Sequence, residues 1–198
     1  MRFIMDENVI LKLELPSLKY MDSFLCGAKE FASVKGKNFS ERQYEKYAEI
    51  TSDIMFDEVV VKPKIDGMLG NNLPEGWVPA TDFWVIKVEA GVETYVGRVS
   101  LRHELTENLF QVGGHIGYDI VPSHRRKGYV KRALRLALEK AKDMEIEQVL
   151  ITCDEENEPS KRTIVGVLNE YGGKIDVPFK AEDSKVVLRF WVNTVKNA

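Results

Sequence analysis

The chain has 198 residues, of which 44% are apolar, and a formal net charge of −3 at pH 7. This length suits one domain with a sizeable core, and the slight acidity argues against general attraction to nucleic acid or to a membrane surface. The two cysteines, Cys26 and Cys153, have neither the spacing of a disulfide framework nor that of a metal site, and no run of eighteen apolar residues occurs. We therefore expect a cytoplasmic protein without a signal peptide, a disulfide or a bound metal.

The N-terminal part is predicted to hold one strand, two helices and a long loop. Residues 9–15 alternate apolar and polar side chains, which is typical of a half-buried strand. Ser17 is placed to cap a first helix, and Ser40 opens a capping box for a second helix that we expect to end near Phe56. The segment 62–81 is rich in Gly, Pro and Asn without a period, so we expect a long loop. Such a loop is either a lid or binding loop, or an ordinary surface connection.

The remaining elements predict an α+β fold. Two β-rich runs, 82–90 and 93–102, meet at a turn containing glycine and predict an antiparallel hairpin. From 116 to 153, a strand, an amphipathic helix and a second strand follow one another, which is typical of a parallel βαβ unit. A last helix over 159–171 and further strand candidates complete the chain. We expect three layers, in which a mixed, mostly antiparallel sheet with one parallel βαβ step carries helices on both faces.

The junction between the strand at 116–121 and its helix carries unusual positive charge. Arg125, Arg126 and Lys127 lie at a helix N-terminus, where each cation costs about 0.3–1 kcal/mol because the peptide dipoles already make this end positive. A ligand with several negative charges reverses the sign of that energy. Gly128 lacks a Cβ, so the backbone can approach such a ligand closely. The turn therefore predicts an anion-binding site.

This turn resembles the acyl-CoA-binding motif of the GNAT N-acyltransferase superfamily, which is Arg or Gln, two residues, Gly, one residue, then Gly or Ala. The resemblance covers roughly 82–175 and extends to an Asn and a Ser at the start of the next helix. It implies that the turn binds the CoA pyrophosphate and that the backbone of the preceding strand pairs with the pantetheine arm. Asn157 would either bond to pantetheine or cap its own helix. The implied cofactor-binding residues are Tyr118, Ile120, Arg125, Arg126, Lys127, Gly128, Tyr129, Val130, Asn157 and Ser160.

The sequence departs from the family pattern at three positions. Arg126 stands where the family often has Gly, and Val130 stands where it usually has Gly or Ala. Neither residue removes a backbone N–H, but the branched side chain of Val130 must point into the core, as the helical period predicts. Leu168 occupies the position of the family's frequent general-acid Tyr, and Tyr171 points elsewhere on the helix. No tyrosine acid can therefore be carried over.

The resemblance implies a single acyl-CoA N-acyltransferase domain over 1–198. Its acceptor-side helices and loop would lie in 1–81, and its CoA-binding core in 82–198. The implied reaction is transfer of an acetyl group from acetyl-CoA, a co-substrate, to the primary amine of a small molecule or peptide by direct attack. No metal, nucleic acid or membrane partner is expected, and a homodimer is one possible assembly.

The acceptor amine requires a proton acceptor. A primary alkyl amine is protonated at pH 7, and presenting it neutral costs about 4 kcal/mol. His115 and Asp119 are the candidates for a catalytic base, because the strand period places both on one face with Gly117 between them. The competing interpretations are that His115 is an ordinary sheet histidine and that Asp119 pairs with a nearby arginine.

Other functions remain open for the same residues. The absence of the family's Tyr favours a non-catalytic acyl-CoA-binding or regulatory module as the main alternative. A dinucleotide site would need three glycines where this turn has one, although Asp154 lies near the expected ribose-binding acid. Nucleic-acid binding would need stacking aromatics, and only Tyr129 is present in the basic cluster. A basic turn that is merely solvated is disfavoured by its position at a helix N-terminus.

Overall fold

The structure is a computed structural model that describes residues 9–34, 42–47, 49–181 and 185–196. Its strands form one sheet in the order β1-β2-β3-β4-β5-β8-β6, with β7 also paired to β8. The strands are β1 Ile10–Glu14, β2 Ala80–Glu89, β3 Val92–Arg102, β4 Ile116–Ile120, β5 Gln148–Asp154, β6 Gly173–Ile175, β7 Phe179–Lys180 and β8 Val186–Asn193. The helices are α1 Met21–Ser33, α2 Asp53–Phe56, α3 Lys62–Leu69, α4 Glu107–Gln111, α5 Tyr129–Asp143 and α6 Glu158–Tyr171.

The observed architecture confirms the predicted α+β fold. β4 and β5 form the parallel pair, and the other recorded strand pairs are antiparallel. The predicted hairpin is β2 and β3, and the predicted βαβ unit is β4, α5 and β5. Among the helices in the described ranges, none is both long and apolar enough to cross a membrane.

The sheet has a separate hydrophobic core on each face. On the face covered by α5 and α6, Leu134, Leu138 and Ile164 are fully buried against the strands. On the opposite face, which we call the α1 face, Phe24 of α1 stacks on Trp84 of β2 with ring centroids 4.9 Å apart. These two cores fix which side chains of the central strands point toward α1.

The prediction that the second helix continues to Phe56 was wrong. Ser40 lies outside the described residues, and residues 42–47 contain a 3-10 turn, Glu45–Tyr47, instead of a long helix. A separate helix, α2, begins at Asp53, where the side chain of Ser52 accepts a hydrogen bond from the N–H of Met55.

The predicted loop over 62–81 was wrong in its first half. A π-helical turn, Asp57–Val61, connects α2 to α3, and α3 continues to Leu69. The Gly, Pro and Asn content had indicated a loop, but Pro63 lies at the start of α3, where a residue without an N–H is tolerated. Gly70, with φ of 77°, ends the helix in the left-handed conformation.

Gly97 permits the close approach of β3 to β4. The register of β2 and β3 shifts between Val85 and Ile86, opposite this glycine. An added Cβ at Gly97 would lie 2.2 Å from the carbonyl oxygen of Asp119. That oxygen belongs to backbone in the middle of a sheet, so it cannot move away without disturbing the ladder.

We predict that Gly97→Ala lowers the free energy of unfolding by about 1–3 kcal/mol or more, because the methyl group overlaps the β4 backbone. Urea denaturation measures the change. Gly67→Ala is the matched control, since Gly67 lies in α3 with nothing within 4 Å of its added Cβ. That control should raise the free energy of unfolding by about 0.5–1 kcal/mol. A Gly97→Ala protein as stable as wild type would contradict the β3–β4 register.

Candidate active site

The two central strands β4 and β5 separate after a single residue pair. Within the described residues, their parallel register consists of Ile116 opposite Ile151, although β4 continues to Ile120 and β5 to Asp154. Beyond that pair the strands diverge and leave a space between their carboxyl ends. We call this space the β4–β5 gap.

The peptide groups of β4 are divided between β3 and this gap. The C=O of His115 accepts a hydrogen bond from the N–H of Arg102 at 2.8 Å, and the N–H of Val121 also donates to β3. Because the hydrogen-bonded positions of an antiparallel ladder recur every second residue, the odd-numbered residues of β4 face β3. The peptide groups of Tyr118 and Ile120 therefore point into the β4–β5 gap.

Arg125 is turned back onto the sheet. Its Nε donates to the carbonyl oxygen of Ile120 at 3.0 Å, and its guanidinium lies 5.8 Å from the ring centroid of Phe31. Because this carbonyl faces the β4–β5 gap, Arg125 joins the end of the gap to the basic turn.

The helix α5 begins without a capping side chain. Arg126, Lys127 and Gly128 are exposed, and Gly128 occupies the N-cap position with φ of 74°. In α2, α4 and α6, by contrast, a side-chain oxygen of the N-cap residue accepts a backbone N–H. The first turn of α5 therefore presents its N–H groups and the positive end of its dipole to the basic turn. This arrangement is suited to a phosphate or pyrophosphate.

Arg126 adopts a backbone conformation that favours glycine. Its φ is 62°, and the left-handed region costs a residue with a side chain about 1–2 kcal/mol. Glycine avoids this cost, which is a physical reason for the family's Gly at this position. Strained conformations persist where the surroundings fix them, and they cluster at ligand sites.

The other residues of the turn pack inward. Tyr129 is buried and stacks on His124 with ring centroids 6.3 Å apart. Val130 packs against the core on the α5 face, in the direction that the helical period predicts. Burial and then the Lys127 ammonium lower the pKa of His124, whose Nδ1 is buried and has no hydrogen-bond partner in the described part of the chain.

The start of α6 meets β4 across the gap. Asn157 caps α6, since its Oδ1 accepts a hydrogen bond from the N–H of Ser160 at 3.2 Å. The hydroxyls of Ser160 and Tyr118 are 2.5 Å apart, and burial raises the pKa of Tyr118 to about 12. Sequence reasoning assigned Tyr118 a role through its backbone only. The strand period places the side chain of Tyr118 on the face of the sheet away from Asp119. This was the signal in the sequence that could have indicated the contact with Ser160.

Cys153 and Leu168 offer no reactive group here. Cys153 is buried, and burial raises the pKa of its thiol. Leu168 belongs to the hydrophobic core on the α5 face. A thiol with a raised pKa is a weak nucleophile at neutral pH.

His115 takes part in the ladder with its side chain. Its N–H donates to the carbonyl of Leu150 at 2.7 Å, and its Nδ1 accepts the N–H of Leu150 at 2.9 Å. Burial, followed by the charge of Arg102, lowers the pKa of His115 to about 4. The imidazole is therefore neutral at pH 7, with its proton on Nε2.

Asp119 belongs to a buried network of charges on the α1 face. Its Oδ2 accepts a hydrogen bond from Arg98 Nε at 2.9 Å, and Arg98 Nη1 lies 3.6 Å from Asp82 Oδ1. Lys64 of α3 pairs with the other oxygen of Asp82. Burial favours the neutral carboxyl, yet Lys64 and Arg98 lower the pKa of Asp82. The network contains two cations and two carboxylates, so its formal charges balance.

A small cavity adjoins this network. Its volume is about 10 Å³, which is room for roughly one water molecule. It is lined by Phe24, Gln43, Tyr44, Tyr47, Lys64, Trp84 and Arg98. Within the described residues, no group of three or more His, Cys, Asp or Glu side chains is arranged to hold a metal ion.

We predict that stability falls as the pH drops from about 6.5 to about 4. The pKa of His115 is lower in the folded chain than the ordinary 6.5, so the unfolded chain takes up the proton first. The stabilisation is therefore complete above pH 6.5 and is lost as the pH falls toward 4. His115→Asn keeps an oxygen that can accept the N–H of Leu150 but does not titrate, so its unfolding free energy should change less over this range.

Urea denaturation between pH 4 and 7 measures this difference, and NMR titration of the imidazole measures the pKa directly. A midpoint near 6.5 for His115 would contradict the burial and the hydrogen bond described above.

Comparison with known proteins identifies the family of this chain. The family model described as Acetyltransferase (GNAT) domain matches residues 38–165, which is more than half of the chain. No curated protein matches this chain.

Solved acetyltransferase structures share the fold. RimL, a ribosomal alpha-N-protein acetyltransferase in complex with coenzyme A, has a TM-score of 0.62 at 13% identity, covering 96% of this chain and 97% of that one. The microcin self-immunity acetyltransferase MccE, in complex with acetyl-CoA and AMP, has a TM-score of 0.54 at 16% identity, covering 93% of each chain. A chimera of the spermidine N-acetyltransferase SpeG from Vibrio cholerae and hSSAT has a TM-score of 0.56 at 12% identity, covering 93% of this chain and 95% of that one. The structures establish the fold at these identities, and the family match shows that the chain is an acyltransferase of the GNAT acetyltransferase family.

Proposed function

We propose that this enzyme transfers an acetyl group from acetyl-CoA to the primary amine of a small molecule or peptide by direct attack. The observation that carries the proposal is the β4–β5 gap, into which peptide groups of β4 point and which leads to the uncapped basic N-terminus of α5. An extended arm ending in a pyrophosphate matches this combination. The complexes of RimL and MccE with CoA or acetyl-CoA support it.

The proposed binding roles follow from the positions of the groups. The first-turn N–H groups of α5, with Arg126 and Lys127, would hold the pyrophosphate. The peptide groups of Tyr118 and Ile120 would pair with the pantetheine arm, except that the carbonyl of Ile120 already accepts Arg125 Nε. A backbone N–H at this strand would also stabilise the negative charge that develops on the thioester oxygen.

The proposed proton acceptor is Asp119, acting directly or through a water molecule. Arg98 holds one carboxylate oxygen, and the side chain lies on the α1 face, on the same strand as the gap. His115 supports this role less well, because protonating its Nδ1 would break the hydrogen bond from Leu150. Direct attack is supported by the buried, raised-pKa thiol of Cys153.

We also propose that residues 1–198 act as one catalytic domain in the cytoplasm. The helices of the N-terminal part pack on the same sheet that carries the proposed CoA site. By their names, RimL is a ribosomal-protein acetyltransferase, SpeG is a spermidine N-acetyltransferase, and MccE is a microcin self-immunity acetyltransferase. The fold by itself therefore does not select an acceptor.

We predict that the protein releases CoA thiol from acetyl-CoA in the presence of a suitable amine. The test is a thiol-reagent assay with polyamines, aminoglycosides, amino acids and peptides as acceptors. Asp119→Asn should lower kcat by about 100-fold to 10000-fold, because a positioned base is lost. Asp143→Asn, at the other end of α5, is the matched control and should retain wild-type kcat.

Because Asp119 pairs with the buried Arg98, the unfolding free energy of Asp119→Asn is measured alongside its activity. A folded Asp119→Asn protein with wild-type kcat would eliminate Asp119 as the base. Acetyl-CoA binding by calorimetry with no turnover of any amine would instead favour a non-catalytic acyl-CoA-binding module.

We predict that Arg126→Glu weakens CoA binding by about 10-fold to 100-fold, since a charge-assisted contact is replaced by repulsion. Pantetheine lacks the phosphates, so its affinity should change little. Lys142→Glu makes the same change of sign on an exposed residue near the other end of α5 and serves as the control. Calorimetry with both ligands gives the comparison, and an equal loss for CoA and pantetheine would contradict the phosphate assignment.

A further inference from the structure

The α1 face of the sheet is partly exposed beside the β4–β5 gap. Ser100 lies opposite Gly117 in the β3–β4 register, and both are partly exposed. The adjoining residues Val99, Leu101 and Ile116 are buried on the other face. Central strands are normally covered on both faces, so partial exposure of paired residues here marks an uncovered floor. We call Ser100 and Gly117 the open floor.

Arg102 borders this floor. Its Nη2 would lie 3.9 Å from a Cβ added at Gly117, so the guanidinium and the glycine are neighbours. Its Nη1 donates to the carbonyl oxygens of Gly113 and Gly114, at 3.1 and 2.8 Å. These contacts hold the guanidinium in a fixed position and leave the donors of Nη2 directed elsewhere.

Within the described residues, Arg102 has no ion-pair partner. In the described ranges, no carboxylate lies within ion-pair distance of it, whereas Arg98 on the same strand and face is paired with Asp119 and Asp82. Burial, offset in part by Asp82, lowers the pKa of Arg102. Arg102 is partly buried, and partial burial of a guanidinium without an ion-pair partner costs free energy. Its position beside the open floor therefore points to an external anion as the partner.

The position of Arg102 indicates which ligand carries the anion. The floor residue Gly117 is directly bonded to Tyr118, whose peptide group faces the gap. The proposed acetyl site and the guanidinium are therefore about one or two residues apart along β4, at roughly 3.3 Å per residue. An anionic group bound at Arg102 would lie only a few bonds from an amine placed for attack. CoA itself would lie in the gap and along α5, so its phosphates are directed away from this floor.

We propose that the acceptor is an acidic amine, in which a carboxylate or phosphate lies within a few bonds of the reactive nitrogen, and that Arg102 binds this anion. The inference rests on the proposed acetyltransferase function and narrows its substrate class. Gly117 leaves room for the acceptor beside the guanidinium. The competing explanation is that Arg102 only fixes the loop at Gly113 and Gly114.

The test compares acceptors that differ in charge at almost constant shape. Peptides with N-terminal Asp or Asn form the carboxylate pair, and phosphoethanolamine with ethanolamine forms the phosphate pair. For the wild type, we expect kcat/KM to favour the acidic member of at least one pair by about 10-fold or more. The pair that shows the preference identifies the anion.

Arg102→Gln should remove this preference by raising the KM of the acidic acceptor, while the KM for acetyl-CoA stays the same. Arg102→Lys, which keeps the charge, should restore part of the preference. Arg189→Gln is the matched control, because Arg189 lies on β8 and is already paired with Asp176. It should change kcat/KM for both members of a pair by the same factor. An equal loss for both members in Arg102→Gln would leave Arg102 only a structural role and overturn the inference.

A binding experiment separates this inference from the proposed function. Calorimetry on the CoA-loaded protein measures the affinity for acetylated Asp and Asn peptides and for acetylated phosphoethanolamine and ethanolamine. Turnover of amines without an acidic preference would overturn the Arg102 inference and leave the acetyltransferase function in place. If no amine is turned over, tighter binding of an acidic product still supports the anion site, and equal binding within both pairs overturns it.

Discussion

The separation of β4 from β5 is the constraint on which the rest of the site depends. One residue pair joins these strands, and His115 supplies part of the ladder beside it with its side chain. Peptide groups in the middle of a sheet need partners, so a strand that lacks its neighbour requires a ligand or water. Arg125 satisfies one carbonyl of this strand and leads the chain into the basic turn. The gap and the anion site are therefore parts of one continuous surface.

The two faces of the sheet have different tasks. On the α5 face, apolar side chains of α5 and α6 lock the helix N-termini in place at the end of the gap. On the α1 face, an aromatic cluster packs over β2 and β3 and encloses the charges of Asp82, Arg98 and Asp119. Burying charges is tolerated here because each carboxylate has a cation beside it. Arg102 is the exception to this pairing, and it lies where the cover ends.

Residue strain and residue charge are combined in the basic turn. Arg126 has a left-handed backbone that glycine would adopt freely, and its cation lies at a helix N-terminus that already carries partial positive charge. Both features raise the free energy of the ligand-free protein. A polyanionic ligand makes the electrostatic contribution favourable. The turn therefore lowers the stability of the ligand-free protein and raises its affinity for the ligand. The same exchange is absent at α6, where Asn157 caps the helix.

The sequence by itself determined the α+β fold, the βαβ step and the basic turn, because each depends on local periodicity or on neighbouring residues. The local pattern failed around Pro63, where a π-helical turn lets the helix continue. It also left the alternatives for His115 and Asp119 open, since their partners, Leu150 and Arg98, are distant in the chain. Only the tertiary structure decided these contacts and showed that Arg102 has no ion-pair partner among the described residues. Long-range packing sets burial and ion pairing, and no local spacing encodes which partly buried charge lacks an ion-pair partner.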